Sequence, residues 1–534
     1  MTDLSAQHQT PDDHLDKRVL VVAGVVVLGS IMSILDITVV SVALETFQRE
    51  FNATSAEVAW TMTGYTLALA TVIPLTGWAA DRFGTKRLYM TAIVLFAAGS
   101  ALCALADNLA MLVAFRVLQG IGGGMLMPLG MTILTRAAGP ERVGRVMAIL
   151  GVPMLLGPIG GPILGGALID SASWHWIFLI NIPLGVIALI YAFLALDKDH
   201  VEPSQTFDFL GMVLLSPGLA MFLYGVSSIP EAGTILDLKV IGFMVAGLLL
   251  IAIFVPWALA RRNDHPLIDV RLFGNKELTV AVVTLALFAM AFFGAGLLFP
   301  LYYQTVRGED ALHAGLLLAP QGLGAMVTMP LAGMLSDRTG PGKIVLGGLT
   351  TIAVGMFGFS QLDDTTPYWY LLGCLFVMGL GMGCTMMPTF AAAQATLREH
   401  TIARGTTLVN IVQQVAASAG TALFSVLLTN GLKGQESLEK SSKFMAALGV
   451  PEDQVESFVA DPANQQKVAD AMAAAGIEPS AMKDLLASIP ADTAAVFSEV
   501  FLIASILVLV CLVPAWFLPK SKAEHGAAAP TVLH

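Results

Sequence analysis

Charge is scarce in this chain. Asp, Glu, Lys and Arg make up 13% of its 534 residues, and hydrophobic residues make up 56%. Soluble domains carry about 25% charged residues. With a mean hydropathy of +0.76, a set of water-soluble globular domains is excluded. Cysteine is also scarce. Cys103, Cys374, Cys384 and Cys511 all fall in apolar runs without metal-ligand spacing. They read as four buried free thiols, and a disulfide framework is excluded. The nine histidines lie in loops, tails or span ends. No phosphate-binding loop, dinucleotide glycine pattern or nucleophile elbow stands in a suitable context. The sequence therefore points away from an enzyme, a metal or a cofactor, and without an ATP site energy must come from an ion gradient. The net charge is −11, with many acids in the N-terminal tail and in 431–493, so nothing suggests nucleic acid.

Long apolar runs are what the chain does have. They fall near 19–44, 56–80, 88–107, 110–135, 144–169, 174–196, 209–230, 238–260, 278–304, 312–336, 343–361, 367–394, 402–430 and 494–518. A bilayer crossing needs about 20 apolar residues, so this is a chain of fourteen spans. The polar tail before Lys17 and Arg18 (Asp3, Asp12, Asp13, Asp16) lacks the pattern of a signal peptide, so the first run reads as a permanent span. An even number of spans puts both termini on one side. If that side is the cytoplasm, inside segments hold nineteen Lys and Arg and outside segments eight, five of them in one long loop. The positive-inside rule then places the termini in the cytoplasm and 431–493 outside. Helix-friendly stretches broken by Pro451, Pro462 and Pro479 make that loop short surface helices or a hairpin capping the outer face, with a flexible linker as the competing reading.

Asp36 is the one charge in the 26 residues from Val19 to Leu44. A carboxylate at that depth is costly and marks function, and it can alternate between a neutral and an ionised form. Arg116, about a turn and a half into the fourth span, cannot lose its proton and needs a partner. Asp36 is the obvious one, directly or through water or Gln119. Glu499, just inside the outer end of the last span, is a second candidate for protonation or cation recognition.

The sequence also repeats itself. Gly77-x-x-x-Asp81-Arg82-x-Gly84 recurs 256 residues on as Gly333-x-x-x-Asp337-Arg338-x-Gly340, each after an apolar run, and Met127-Pro128 has a counterpart in Met387-Pro388. Two related halves follow, as in many secondary transporters, with the pair at 209–260 left between them. In the first loop, glycines allow a sharp turn. Asp81 can accept bonds from Arg82, Lys86 or a neighbouring helix end, a charge lock suited to gating, and Arg87 completes the loop. Gly157, Pro158, Gly161, Pro162 and Gly165 strip side chains from the fifth span and kink it, which suits a bending interface. Methionines such as Met154, Met290 and Met382, with Phe288, Phe292, Phe293, Tyr302 and Tyr303, suit a pocket for many apolar shapes.

These motifs, in order along nearly the whole chain, resemble the major facilitator superfamily, specifically its fourteen-helix drug:proton antiporters of the EmrB/QacA type. Leu35 to Val40 resembles the first-helix signature, Gly77 to Arg87 the loop between helices 2 and 3, and Arg116 to Gly120 the fourth-helix motif. Gly157 to Gly166 resembles the fifth-helix motif of exporters, and Trp174 to Gly185 the entry to the sixth helix. His175 stands where the family often has Arg, and Gln413-Gln414 near where relatives carry a basic residue. The resemblance implies an all-α membrane fold of two six-helix bundles plus two central helices. The expected boundaries are 1–18 for the N-terminal tail, 19–200 and 266–518 for the bundles, 201–265 for the linker helices and 519–534 for the C-terminal tail. It implies proton-coupled efflux of hydrophobic or cationic drugs by alternating access, in a bacterial cytoplasmic membrane. Its partners are small hydrophobic substrates, protons and lipid, with a periplasmic adaptor in a Gram-negative host. Asp36, Arg116 and Glu499 are the proton-coupling candidates. Tyr65, Gln119, Met154, Phe292, Tyr302, Asn410 and Gln413 are the substrate-binding candidates. Export of one dedicated lipid or antibiotic, and a non-transporting receptor or scaffold using 431–493, are the competing readings. Asp36 speaks against the scaffold, which has no need of a buried acid.

Overall fold

The structure, a computed structural model, describes residues 16–138, 171–198, 206–229, 237–260, 265–397, 401–435, 465–475 and 482–520, with Asn263 and scattered positions in 146–169 and 437–448. Among the described residues the elements are helices. Lipid offers no partner for backbone amides, so a spanning segment must satisfy them internally. Among the described residues, thirteen helices are long and apolar enough to cross a membrane. The expected fifth span lies largely outside the described residues, which include a helical stretch at 163–169.

The chain opens with α1 (Lys17–Val42), the short α2 (Leu44–Phe51), α3 (Ser55–Phe83), α4 (Thr85–Cys103), α5 (Leu109–Ala138), α6 (Trp176–Leu179) and α7 (Asn181–Ala195). Two central spans follow, α8 (Phe209–Ser227) and α9 (Leu238–Leu259). The remainder holds α10 (Lys276–Gly296), α11 (Leu298–Thr305), α12 (Ala311–Leu317), α13 (Ala319–Thr339), α14 (Pro341–Phe359), α15 (Tyr368–Ala395), α16 (Ile402–Lys433), α17 (Gln465–Ala475), α18 (Met482–Val510) and α19 (Leu512–Ala515). Two helical bundles result, joined by α8 and α9. In the first, α5 packs between α3 and α4; in the second, α15 packs between α13 and α14. Glycine makes both contacts close. A Cβ on Gly122 would stand 2.5 Å from the Phe96 nitrogen, and one on Gly381 would stand 2.5 Å from the Gly348 oxygen.

The repeated loops fold alike. Gly84 (φ 94°) and Gly340 (φ 84°) each end one span and start the next, in a left-handed backbone that favours glycine. Three details depart from the sequence reading. The first apolar run is not one helix to Leu44, because α1 stops at Ala43 and the amphipathic α2 ends at Asn52 (φ 48°). Cys374 and Cys384 are half-buried free thiols, whereas Cys103 and Cys511 are buried. The last helix begins at Met482, well before the apolar run at 494, because helix continues past the apolar segment into the loop. In that loop α17 forms a small core of its own, Phe444, Ala471, Met472 and Ala475.

Candidate functional site

Two side chains are placed at one depth by helix geometry. Asp36 is six residues from the end of α1 and Arg116 seven from the start of α5, so each lies about 10 Å in from the face opposite the termini. Both are buried, at 1% and 0% exposure. Arg116 Nη1 meets Asp36 Oδ2 at 2.5 Å and donates to Gln119 Oε1 at 2.7 Å, while its Nε donates to the Thr61 carbonyl at 3.1 Å. Gln119 Nε2 donates to Asp36 Oδ1 at 2.7 Å and to Ser100 Oγ at 3.1 Å. Asn181 Nδ2, at the start of α7, donates to Asp36 Oδ1 at 3.3 Å and to Ser100 Oγ at 3.0 Å. Ser100 Oγ in turn donates to the Phe178 carbonyl at 3.0 Å.

Tyr65 of α3 closes the cluster. Its ring lies 4.2 Å from the Arg116 guanidinium carbon, and its hydroxyl is 3.3 Å from Ser33 Oγ. Phe178 supplies a second ring at 5.9 Å. A buried guanidinium on aromatic faces with a carboxylate partner is stabilised by both. Breaking such a pair on one side alone costs about 3–5 kcal/mol, so neutralising Asp36 changes the whole cluster. Asp36, Arg116, Gln119 and Tyr65 are thus brought together. Thr61, Ser100 and Asn181 were not assigned from sequence, although Asn181 and Ser100 are polar residues at or inside apolar runs, which was the available signal.

The loop after α3 forms a second constellation, on the face that carries the termini. Asp81 pairs with Arg136 Nη2 of α5 at 3.5 Å and with Arg404 Nε of α16, in the other bundle, at 3.6 Å. Arg136 also donates to Thr85 Oγ1 at 2.8 Å. Beside this bridge, Thr76 and Thr407 hydroxyls are 3.2 Å apart, Asn410 Nδ2 donates to Met131 Sδ at 3.5 Å, and a Cβ on Gly77 would stand 3.3 Å from the Arg404 Cα. The bundles touch here. Lys86 donates to the Phe193 and Leu196 carbonyls at the end of α7, Arg82 is half-buried, and Arg87 and Arg338 are exposed. Nothing is described for the Asp337 side chain.

The other candidates are dispersed. Phe292 stacks on Phe288 at 5.3 Å in α10. Tyr302 donates its hydroxyl to the Asp363 carbonyl at 2.7 Å, in the loop after α14. The Thr366 hydroxyl, the largest effect, holds the Asp363 carboxyl below its usual range against the opposing effect of burial, with a smaller contribution from the Thr365 hydroxyl. Asn410 also bonds its own helix at the Thr406 carbonyl, and Gln413 is half-buried one turn on. Glu499 is exposed on α18, away from the Asp36 cluster. In the fifth span, a Cβ on Gly161 would stand 2.0 Å from Thr38 Oγ1 and one on Gly165 3.1 Å from Val39 Cγ1, so this stretch lies tight on α1 beside Asp36; Gly157 stands equally close to Ile34. Met154, Pro158 and Pro162 lie outside the described residues.

Two bundles of membrane-spanning helices, the first enclosing a buried charge pair and the two closed against each other on one face, define a polytopic transporter architecture. The Major Facilitator Superfamily profile matches residues 26–421, and the chain belongs to that family; it is a membrane transporter, not an enzyme. It is 48% identical over 531 residues to the multidrug resistance protein B homolog of Mycobacterium tuberculosis, covering 98% of this chain and 94% of that one. It is 30% identical over 407 residues to the putative multidrug resistance protein MdtD of Pectobacterium carotovorum, covering 76% and 86%. Among solved structures, the fold matches the proton:xylose symporter XylE with a TM-score of 0.56 at 14% identity, over 94% of this chain and 96% of that one.

Proposed function

We propose that this transporter exports hydrophobic and cationic drugs from the cell in exchange for protons, with Asp36 as the proton carrier. The observation that carries this reading is the buried Asp36–Arg116 pair, its carboxylate also met by Gln119 and Asn181. A carboxylate so placed has two states of different charge in a site that excludes water. When Asp36 takes a proton, Arg116 loses its counter-charge and the ties among α1, α5 and α7 weaken. When it releases the proton, they re-form. The family and the multidrug resistance relatives support the substrate class.

The termini face is the cytoplasmic one, as the charge bias indicates, in the cytoplasmic membrane of a bacterium. With the bundles meeting at Thr76, Asp81 and Arg404, the molecule is closed toward the cytoplasm, and Asp81 is the gating residue. The bundles run over 19–200 and 266–518, with 201–265 linking them. Drug binds between the bundles, where Phe292, Asn410 and Gln413 contribute, while Tyr65 and Gln119 act through the Asp36 cluster. A periplasmic adaptor serves in a Gram-negative host.

The test is drug-stimulated proton movement in proteoliposomes with an imposed pH gradient. The parent is expected to drive a fluorescent organic cation against its gradient, and Asp36→Asn to insert normally but lose this drive at least tenfold. Normal active export by the folded variant would remove Asp36 from the mechanism.

A further inference from the structure

The central spans hold a buried carboxylate that the exchange mechanism leaves unused. Asp208, 7% exposed at the N-terminus of α8, accepts four hydrogen bonds from neutral donors. Oδ1 receives the Gly211 N–H at 2.8 Å and Trp257 Nε1 at 2.8 Å; Oδ2 receives Asn263 Nδ2 at 3.1 Å and the Leu267 N–H at 3.0 Å. An ionised carboxylate has about four acceptor sites, and all are taken. The donors come from α8, α9 and the segment after α9, so one side chain ties three pieces of chain together. The local sequence is built for it: a Cβ on Gly211 would stand 2.2 Å from Asp208 Oδ2.

What the tie holds is the seam between the bundles. Leu267 (1% exposed) and Ile268 (3%) pack in one apolar cluster with Ile73 of α3 and with Leu408 and Ile411 of α16. Ile73 lies one turn from Thr76, and Leu408 adjoins Thr407, the two hydroxyls in contact across the bundles. Further along, Phe222 and Val226 of α8 continue the same line against Ala70 of α3 and Ala422 of α16. The central spans thus follow the α3–α16 seam, which has to part when the termini face opens.

We infer that Asp208 is a positioning residue for the transport cycle: by pinning Leu267 and Ile268 in the α3–α16 seam, it holds the termini face closed and sets how often that face opens. The inference rests on the alternating-access reading above. Asp208→Asn keeps the size but turns one acceptor oxygen into an NH2 group facing two N–H donors, so half the tie is lost. The full-length protein in proteoliposomes, carrying fluorophores at the termini-face ends of α3 and α16, gives the distance distribution without drug or gradient, and efflux gives kcat and KM. Asp208→Asn is expected to raise the separated population at least threefold and to change kcat at least threefold, with KM for the drug within twofold. A folded variant with the parent's distance distribution and kcat overturns the inference. If Asp208→Asn does not insert, Trp257→Phe and Asn263→Leu each remove one donor and are expected to move the distribution the same way; parent-like behaviour of both overturns it equally. Normal export by Asp36→Asn would sink the coupling reading while leaving the distance comparison standing, so the two failures are told apart.

Discussion

Lys86 and Gly342, 256 residues apart, close the last span of their respective bundles in the same way. Lys86 Nζ donates to the carbonyls of Phe193 at 2.7 Å and Leu196 at 2.6 Å, at the end of α7. The Gly342 N–H donates to the Pro519 carbonyl at 2.9 Å, just past α19. Each residue stands two positions after a positive-φ glycine, Gly84 and Gly340. Carbonyls at a helix C-terminus have no partner within the helix. One copy of the repeat supplies a side-chain cation and the other a bare backbone amide, so the pseudo-symmetry is one of purpose, kept through different chemistry.

Gly342→Val should therefore destabilise the protein more than Lys86→Met. A Cβ at 342 would stand 2.7 Å from the Leu518 oxygen and 3.0 Å from the Pro519 oxygen, backbone atoms that cannot swing aside. Overpacking of this kind costs about 1–3 kcal/mol, whereas a cation at a helix C-terminus contributes about 0.3–1 kcal/mol. Thermal unfolding of the two purified variants gives the order, and equal midpoints would contradict it.

The spans were legible because lipid imposes a plain rule on composition, and the Asp36–Arg116 pairing because both charges interrupt apolar runs at matching depth. The break at Ala43 was not legible, since an apolar residue marks it. Nor were the partners of Asp81: Arg404 lies more than 300 residues away and reads, by sequence, only as a cytoplasmic cation for orientation. Asn181 was visible within the sixth-helix motif, but its approach to Asp36 depends on how α7 packs on α1. Asp208 gave no signal of its own, because four neutral donors from separate segments converge on it only after folding.

Asp81→Asn and Arg404→Gln should slow turnover alike. Their pair bridges the bundles at 3.6 Å with both side chains largely buried, at 6% and 12% exposure. Losing either partner loosens the same closed face, so the double variant should be little worse than either single one. Efflux kinetics are expected to show kcat lowered at least threefold with KM within twofold. Fully additive losses in the double variant would argue that the two residues act separately.

Gly123→Ala should impair transport through Tyr65. A Cβ at 123 would stand 2.4 Å from the Tyr65 hydroxyl, which is buried and set against Ser33 while its ring faces Arg116. Tyr65→Phe removes the clashing oxygen and keeps the ring over the guanidinium. The double variant Gly123→Ala/Tyr65→Phe is expected to recover most of the turnover lost by Gly123→Ala alone. No recovery would place the damage elsewhere in the packing of α5.

Glu499 is the acid whose exposure argues against a part in coupling. It sits on α18 beside Ser498, whose hydroxyl donates to the Ser360 carbonyl at 2.5 Å, at the end of α14 opposite the termini. Its side chain is exposed on α18 and is not among the groups that hydrogen-bond to Asp36 or Arg116. Glu499→Gln is accordingly expected to leave drug-stimulated proton movement within twofold of the parent for neutral and cationic compounds alike. Loss confined to cationic compounds would instead make Glu499 a charge-recognition site at the outer mouth, and loss for every compound would give Asp36 a partner in proton transfer.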